Sequence, residues 1–154
     1  MYQIDQSGKI EQTNKDTILC LANDKWDAII IKAKTKRQIQ EIFRRNGQPR
    51  NFVLFTFCAG LAILIERNLN AGRIVIDREY YGKEAIIKKL IGEMSYVIRD
   101  KVNIDFGLIG KLSKAHFLSG EVKNKKKKPN FIATEKRIMR IIKKTEVGKQ
   151  LKDT

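Results

Sequence analysis

Two aspartates in this sequence occupy positions that a purely structural role explains poorly. Asp5 follows the strand-like residues 2–4, and Asp77 ends the apolar run of residues 73–76. If the two segments are neighbouring strands of one sheet, the carboxylates meet at one edge, where they repel each other unless protonated or bridged by a divalent cation. Carboxylate oxygens suit Mg²⁺ when phosphate oxygens complete its coordination shell. The pair therefore suggests metal-assisted phosphodiester cleavage.

Taken singly, each aspartate has a structural explanation that is at least as good. Asp5 could stabilise the Ser7-Gly8 turn as an Asx-turn residue, and Asp77 could be the acid at the start of the next helix. Two further acids are candidates for the same site. Glu79 points to the same side as Asp77 if the strand continues, whereas Glu66, at the end of an apolar segment, either approaches the site or only solvates that end.

His116 is the only histidine and lies three residues after Ser113, in the first turn of a predicted helix. It could ligate a metal, position a water or act as a general acid, and the alternative is a helix-end residue packed against the sheet. Lys111 and Lys114 flank it, which favours an incoming phosphate but disfavours a protonated imidazole. Residues 107–111 lack the spacing of a phosphate-binding loop.

The excess of positive charge lies mainly at the C-terminal end. The chain has a formal net charge of +15, of which residues 1–110 carry +5 and residues 111–154 carry +10. Such clustering favours a polyanionic partner and salt-dependent binding through counterion release, although a Lys-rich surface that serves only solubility is the alternative. The candidate nucleic-acid contacts are Lys111, Lys114, Lys123, Lys125, Lys126, Lys127, Lys128, Arg137 and Arg140. Deleting residues 124–154 should weaken binding and leave the fold intact.

The elements that must position these residues follow from the hydrophobic pattern. Residues 2–11 predict a strand, a turn at Ser7-Gly8 and a returning strand, and residues 16–22 predict the third strand of an antiparallel meander. Residues 27–33 are either a strand or the start of a helix. Helices are expected from residue 35 to 46 and over residues 51–68, and residues 73–77 predict a further strand.

A long amphipathic helix is predicted after Gly82, since Ile86, Ile87, Leu90, Ile91, Met94, Val97 and Ile98 follow a helical stripe. Residues 102–109 predict the last strand, and Ser113 is placed to cap a helix that runs to about residue 123. An exposed linker is expected over residues 124–130 and a basic helix over residues 134–146. The pattern predicts an α/β fold with one mixed sheet flanked by helices.

Length and composition indicate one soluble domain. The hydrophobic content of 42% is too high for a disordered polycation. The two cysteines show neither disulfide nor zinc spacing. The longest apolar run, residues 52–65, is shorter than the roughly 18 to 20 residues of a spanning helix, and no signal sequence is seen. We expect an intracellular, cytoplasmic protein without a membrane segment.

Three segments together resemble the ribonuclease-H-like nuclease superfamily. The stretch Ile4-Asp5-Gln6-Ser7-Gly8 resembles its first-strand signature, particularly that of the Asp-Glu-Ser-Gly-type group. Residues 75–83 look like the acid of the fourth strand and the start of the following helix, including in the Holliday-junction resolvase branch, and residues 113–118 are similar to the last helix. The ordered set covers residues 2–123.

This resemblance implies a five-stranded mixed sheet, made of a three-stranded antiparallel meander plus two further strands, over residues 1–123. Residues 124–154 would add a Lys-rich linker and a basic helix. It further implies a two-metal nuclease or resolvase site that uses Mg²⁺ or Mn²⁺, with Asp5, Asp77 and His116 as metal ligands and Glu66 or Glu79 as the remaining acid.

The sequence departs from the family pattern at two positions. Gln6 replaces the usual acid or glycine, and His116 replaces the commoner aspartate, which lowers the negative charge that can hold two cations. A one-metal enzyme, a preference for Mn²⁺, or a non-catalytic relative that binds DNA or RNA therefore stay open. A homodimer is one possible assembly, and a structural component bound to RNA or protein is a third class of function.

Overall fold

The computed structural model describes residues 1–152. One six-stranded mixed sheet has the order β5-β4-β1-β2-β3-β6. β1 to β3 form an antiparallel meander, and the other three strands pair in parallel with their neighbours. The strands are β1 (Tyr2–Ser7), β2 (Thr17–Ala22), β3 (Trp26–Ile31), β4 (Arg73–Asp77), β5 (Asn103–Gly107) and β6 (Phe131–Ile132).

Six helices flank this sheet and cover its two faces unequally. They are α1 (Ala33–Arg45), α2 (Phe52–Glu66), α3 (Glu84–Met94), α4 (Tyr96–Lys101), α5 (Lys114–Lys123) and α6 (Glu135–Ile142). α2 packs against β2 and β3 and is itself surrounded by α1, α3, α4 and α6, whereas α5 packs against β1 and β2 and only slightly against β3.

The strand register assigns side chains to these two faces, because residues paired across strands point the same way. Ile4 pairs with Leu21 and Ile76 and lies on the face that α2 covers, here called the α2 face. Asp5 pairs with Cys20, which pairs with Ala28, on the opposite or α5 face. The larger core lies on the α2 face, and a smaller cluster around Cys20 and Ala28 lies under α5.

The predicted returning strand at residues 9–11 is wrong. Residues 8–16 form a loop in which Ile10 is fully buried, and Gly8 turns the chain with a φ of +81°. The buried ammonium of Lys36 donates to the carbonyls of Lys9 and Gln12, at 3.1 and 2.8 Å, and to Thr17 Oγ1. A buried lysine thus provides donors for this loop that a strand partner would otherwise supply. β3 (Trp26–Ile31), in the segment whose sequence suits either a strand or a helix start, is the third meander strand instead.

The long helix predicted after Gly82 divides into α3 and α4 at Ser95. The Ser95 hydroxyl accepts a hydrogen bond from the Ile98 amide at 3.3 Å and so begins a new helix. Ile86, expected in the buried stripe, is 43% exposed. The helices predicted over residues 35–46, 51–68 and 113–123, and the strands over 73–77 and 102–109, are confirmed with shifted ends as α1, α2, α5, β4 and β5.

The sheet has six strands, whereas five were predicted. β6 consists of Phe131 and Ile132, which pair in parallel with β3. Asn130 initiates the pairing, since its side chain accepts from the Ala28 amide and its own amide donates to the Ala28 carbonyl, each at 2.8 Å. A two-residue strand directly after a run of lysines leaves almost no hydrophobic pattern, so the sequence did not reveal it.

The basic C-terminal helix belongs to the main core. α6 packs against α1 and α2 and buries Ile138, Met139, Ile141 and Ile142, while Arg137 and Arg140 stay exposed. An exposed linker precedes it, as expected. The burial contradicts the expectation that residues 124–154 can be removed with the fold intact. Residues 153 and 154 of that segment lie outside the described residues.

One helical stretch is long and apolar enough to cross a membrane by length and composition alone. It spans Pro49–Glu66, 18 residues, and 67% of it is buried inside the protein. Its burial against the sheet and four other helices accounts for its apolar character, because a helix that is hydrophobic on all sides needs cover on all sides. This packing agrees with the expected soluble protein.

Candidate functional site

The two aspartates singled out from the sequence lie side by side on the α5 face. β1 and β4 pair in parallel, with Ile4 opposite Ile76, so Asp5 and Asp77 are the next residues of the two strands. Glu79, just beyond β4, joins them. One carboxylate oxygen from each of the three residues lies within 4.8 Å of the other two. The predicted convergence of two strand-end carboxylates is therefore present, with a third acid added.

Asp5 is the buried member of the cluster, at 4% exposure. Its Oδ2 lies 2.8 Å from Nδ1 of His116. Burial raises the pKa of Asp5, an effect that the His116 hydrogen bond opposes and the nearby Asp77 charge reinforces. When Asp5 is ionised, Nδ1 of His116 must carry the proton, which leaves the lone pair on Nε2.

α5 places His116 by means of its N-terminal cap. The Ser113 hydroxyl accepts a hydrogen bond from the His116 backbone amide at 3.1 Å, which fixes the first turn of the helix. α5 packs against β1 and β2, and the contact between His116 and Asp5 places its first turn over β1. The imidazole remains about half exposed, with 48% of its side-chain surface accessible. It can therefore bond to the buried Asp5 and still contact solvent or a ligand.

Asp77 is held by the backbone beyond the neighbouring strand. Its Oδ1 accepts a hydrogen bond from the Ile109 amide at 2.8 Å. Gly107 is its register partner on β5, and a Cβ there would lie 3.3 Å from Val75 Cγ1. A side chain at Gly107 would therefore crowd Val75, and the Ile109 amide fixes the orientation of the Asp77 carboxylate.

Glu79 is the acid of the cluster whose pKa is shifted furthest from its ordinary value. Burial raises its pKa to about 7, and the charge of Asp77, a hydrogen bond with Asp77 and the charge of Asp5 act in the same direction. Lys9 opposes this shift. Three acids so close together retain a proton near neutral pH, and a divalent cation could replace that proton because it supplies more positive charge to the same oxygens.

The remaining residues proposed for the site are not members of the three-acid cluster. Glu66 ends α2, which covers the opposite face of the sheet, and it is outside the three-acid cluster. His116 is also outside that cluster, and it contacts Asp5 directly. Lys114 donates to the Asn23 carbonyl at 3.1 Å and Lys111 is exposed.

Sequence reasoning missed two contributors to the site. The Ile109 amide carries no residue-type signal, and Lys9 lies in the loop that was predicted to be a strand. The only sign in the sequence that Lys9 could contribute to the site was its position two residues after the end of β1.

The lysines of residues 123–128 are exposed at the C-terminal end of α5 and in the loop that follows. The Lys127 ammonium lies 5.8 Å from the centre of the Trp26 ring, and Lys126 forms a long ion pair of 3.9 Å with Glu121. The Arg137 guanidinium lies 6.0 Å from the Phe131 ring. Lys127, beside Trp26, lies on the same side of the sheet as the acidic cluster, whereas Arg137, beside Phe131, lies on the α2 face.

No protein-family model matches this chain, and no curated protein and no solved structure matches it either.

Proposed function

We propose that this protein is a divalent-metal-dependent nuclease with a ribonuclease-H-like fold. The observation that carries the proposal is the cluster of Asp5, Asp77 and Glu79, whose carboxylate oxygens lie within 4.8 Å of one another on the α5 face. An all-oxygen donor set of three acids is of the kind that Mg²⁺ or Mn²⁺ occupies with water and phosphate oxygens in phosphoryl-transfer sites.

The sheet arrangement supports the fold part of the proposal. A three-stranded antiparallel meander is followed by two strands that add in parallel beside β1, which agrees with the arrangement that the sequence resemblance implies. This order brings the first and fourth strands together, and with them the two aspartates. β6 extends the sheet at the far edge, away from the acidic cluster.

The protein residues divide the remaining tasks between them. A bound cation would polarise a phosphoryl oxygen and lower the pKa of a water. His116 and the Ile109 amide orient the carboxylates of Asp5 and Asp77, which would hold such a cation. His116, whose side chain is about half exposed, can accept or give up a proton at Nε2 close to the buried Asp5. The basic residues beyond α5 would neutralise backbone phosphates in the cytoplasm.

Cleavage assays with single-stranded, duplex, hybrid and branched substrates test the proposal. We expect cleavage with Mg²⁺ or Mn²⁺, none with a chelator, and a loss of about 100-fold or more for Asp77→Asn, since a neutral amide holds a cation poorly. Asp105→Asn is the matched control, because Asp105 lies on the adjacent strand, pairs with Arg73 and is outside the cluster. Full activity of an Asp5→Asn, Asp77→Asn double variant would contradict the proposal.

A second candidate is a nucleic-acid-binding protein that does not cleave. The observation that favours it is the direct bond between His116 and Asp5, which occupies one carboxylate oxygen that a cation would otherwise use. Electrophoretic retardation of nucleic acid without cleavage, with either cation, would favour this candidate over the nuclease.

A further inference from the structure

A groove of about 960 Å³ lies between the C-terminal end of α5 and the β6 edge of the sheet. It is separate from the acidic cluster and contains none of its residues. Its rim is strongly basic, whereas its floor is apolar. The lysines that line it are Lys15, Lys32, Lys123, Lys125, Lys127 and Lys128.

The floor of the groove consists of three isoleucines in register. Ile18 on β2 pairs with Ile30 on β3, and Ile30 pairs with Ile132 on β6, all on the α5 face. Their exposure increases toward the edge: Ile18 is 1% exposed, Ile30 is half-buried and Ile132 is 50% exposed. α5 ends over the inner part with the buried Val122 and leaves the outer part uncovered.

Within residues 1–152, no ion pair neutralises the charge of the rim. None of the six lysines forms an ion pair with a carboxylate among residues 1–152. The one acid in the lining, Asp16, accepts a hydrogen bond from the Ala33 amide at 2.8 Å. A ligand that matches both features carries repeated negative charge together with flat or apolar groups.

We propose that this groove binds a single-stranded segment of the nucleic-acid substrate, with phosphates on the lysine rim and bases against the isoleucine floor. The inference deepens the nuclease proposal and rests on it for the identity of the polyanion. A duplex keeps its base faces stacked inside, so only an unpaired strand can present them to an apolar floor. Charge alone would favour the duplex, which has the higher density of phosphates.

The course of α5 connects the groove with the acidic cluster. His116 lies in the first turn of α5 beside Asp5, and Lys123 is its last residue at the groove. Seven residues at 1.5 Å per residue span roughly 10 Å, which corresponds to about three nucleotides of a helical strand at 3.4 Å each. A strand with one phosphate at the carboxylates can therefore place its next few nucleotides in the groove.

Binding measured without metal tests this inference separately from cleavage. The probe is a labelled oligothymidylate of about 12 nucleotides, followed by fluorescence anisotropy in EDTA at several salt concentrations. The triple variant Lys125→Gln, Lys127→Gln, Lys128→Gln should lose about tenfold in affinity or more. The slope of its log affinity against log salt concentration should become shallower by about 2, since each lost phosphate contact on a single strand accounts for about 0.7 of that slope.

The matched control carries the same change of net charge on other parts of the surface. Lys88→Gln, Lys89→Gln, Lys101→Gln alters three exposed lysines of α3 and α4 and should change affinity by less than about threefold.

The single tryptophan gives a second readout, since Lys127 lies against the Trp26 ring. Binding should change its fluorescence in the control and not in the groove variant. Equal losses in the two triple variants would overturn the inference.

The apolar floor is tested by Ile132→Gln. It should weaken binding of the single strand by about threefold and leave binding of a duplex of equal charge unchanged, since only unpaired bases reach the floor. Ile86→Gln is the control, because Ile86 is a similarly exposed isoleucine on α3. Equal effects on both nucleic acids, or equally tight binding of polyglutamate of the same charge, would overturn the inference. Loss of cleavage in Asp77→Asn with oligothymidylate binding retained supports both proposals.

Discussion

Asp5 and Glu79 are acids whose raised pKa values have a common first cause, which is burial of the carboxyl group. His116 lowers the pKa of Asp5 and Lys9 lowers that of Glu79, but each offsets the effect of burial only in part. A carboxyl group with a higher pKa in the folded than in the unfolded protein binds more protons in the folded state. The folded cluster thus favours a proton, or a cation in its place.

The sign of this linkage predicts how stability depends on pH. Between about pH 4.5, the ordinary value for Glu79, and about pH 7, the unfolded chain releases protons that the folded protein keeps, so the contribution of this cluster to stability falls as pH rises. Thermal unfolding of the metal-free protein at several pH values measures this. Adding Mn²⁺ should raise the unfolding temperature more at pH 7.5 than at pH 5.5, because protons compete with the cation for the carboxylates. Competition by one proton changes the apparent affinity for the cation about tenfold per pH unit.

The Asp77→Asn variant is the comparison for this pH dependence. Removing the Asp77 charge lowers the pKa of Glu79, so the stability of the variant should fall less steeply between pH 4.5 and about pH 7. An unchanged pH profile in Asp77→Asn, or an equal effect of Mn²⁺ at both pH values, would show that the three acids are not coupled.

The sequence predicted the acidic pair but only part of its environment. Asp5 and Asp77 could be found because strand alternation and one assumption, that their strands are neighbours, determine where they point. His116 could be placed in the first turn of its helix from Ser113. Its bond to Asp5, the Ile109 amide and the contribution of Lys9 depend on loop conformations, which carry no periodic signal. Glu66 was proposed from its position after an apolar segment, and the side of the sheet on which α2 lies decided against it.

At the scale of elements, the N-terminal cap of α5 is the link between helix formation and the site. Ser113→Ala removes the acceptor for the His116 amide and should cost about 1 kcal/mol of stability. The loss also loosens the first turn, so we expect weaker coupling of His116 to Asp5 and lower cleavage activity. Denaturant unfolding, the imidazole titration by NMR and the cleavage rate measure the three effects.

Thr134→Ala is the matched control for Ser113→Ala. Thr134 caps α6 in the same way, since its hydroxyl accepts from the Arg137 amide, and it should lose a similar amount of stability (about 1 kcal/mol) with no change in the His116 titration or in cleavage. If both variants lose cleavage activity equally, the cap of α5 has no specific role at the site.

Three helices were predicted correctly from three different signals, and the failures have local causes. α1 follows an amphipathic helical pattern, α2 is apolar on all sides and was predicted from its length, and α5 was predicted from the Ser113 cap. The false strand at residues 9–11 resulted from reading Ile10 as part of a ladder, whereas it is buried beneath a loop that the distant Lys36 stabilises. The continuous stripe through residue 98 concealed the new start at Ser95, because a serine cap interrupts the backbone without interrupting the hydrophobic pattern.

At the scale of the whole molecule, the C-terminal segment is part of the folded unit. Deleting residues 124–154 should expose the apolar surfaces of α1 and α2 under α6 and lower the unfolding temperature by about 10 °C or more, or prevent folding, since several large side chains lose their burial. Circular dichroism during heating measures this. The control Arg137→Gln, Arg140→Gln keeps the buried side of α6 and should unfold close to the unaltered protein. A truncated protein of unchanged stability would contradict this account.

The position of β6 has a consequence for how this protein behaves at high concentration. Without it, β3, with its consecutive isoleucines, would end the sheet with an open row of backbone donors and acceptors, the arrangement that recruits strands from other chains into fibrils. Two residues cover part of that row, and the preceding lysines discourage a second molecule from approaching. We therefore expect the shortest strand of the sheet also to lower the tendency of the chain to polymerise.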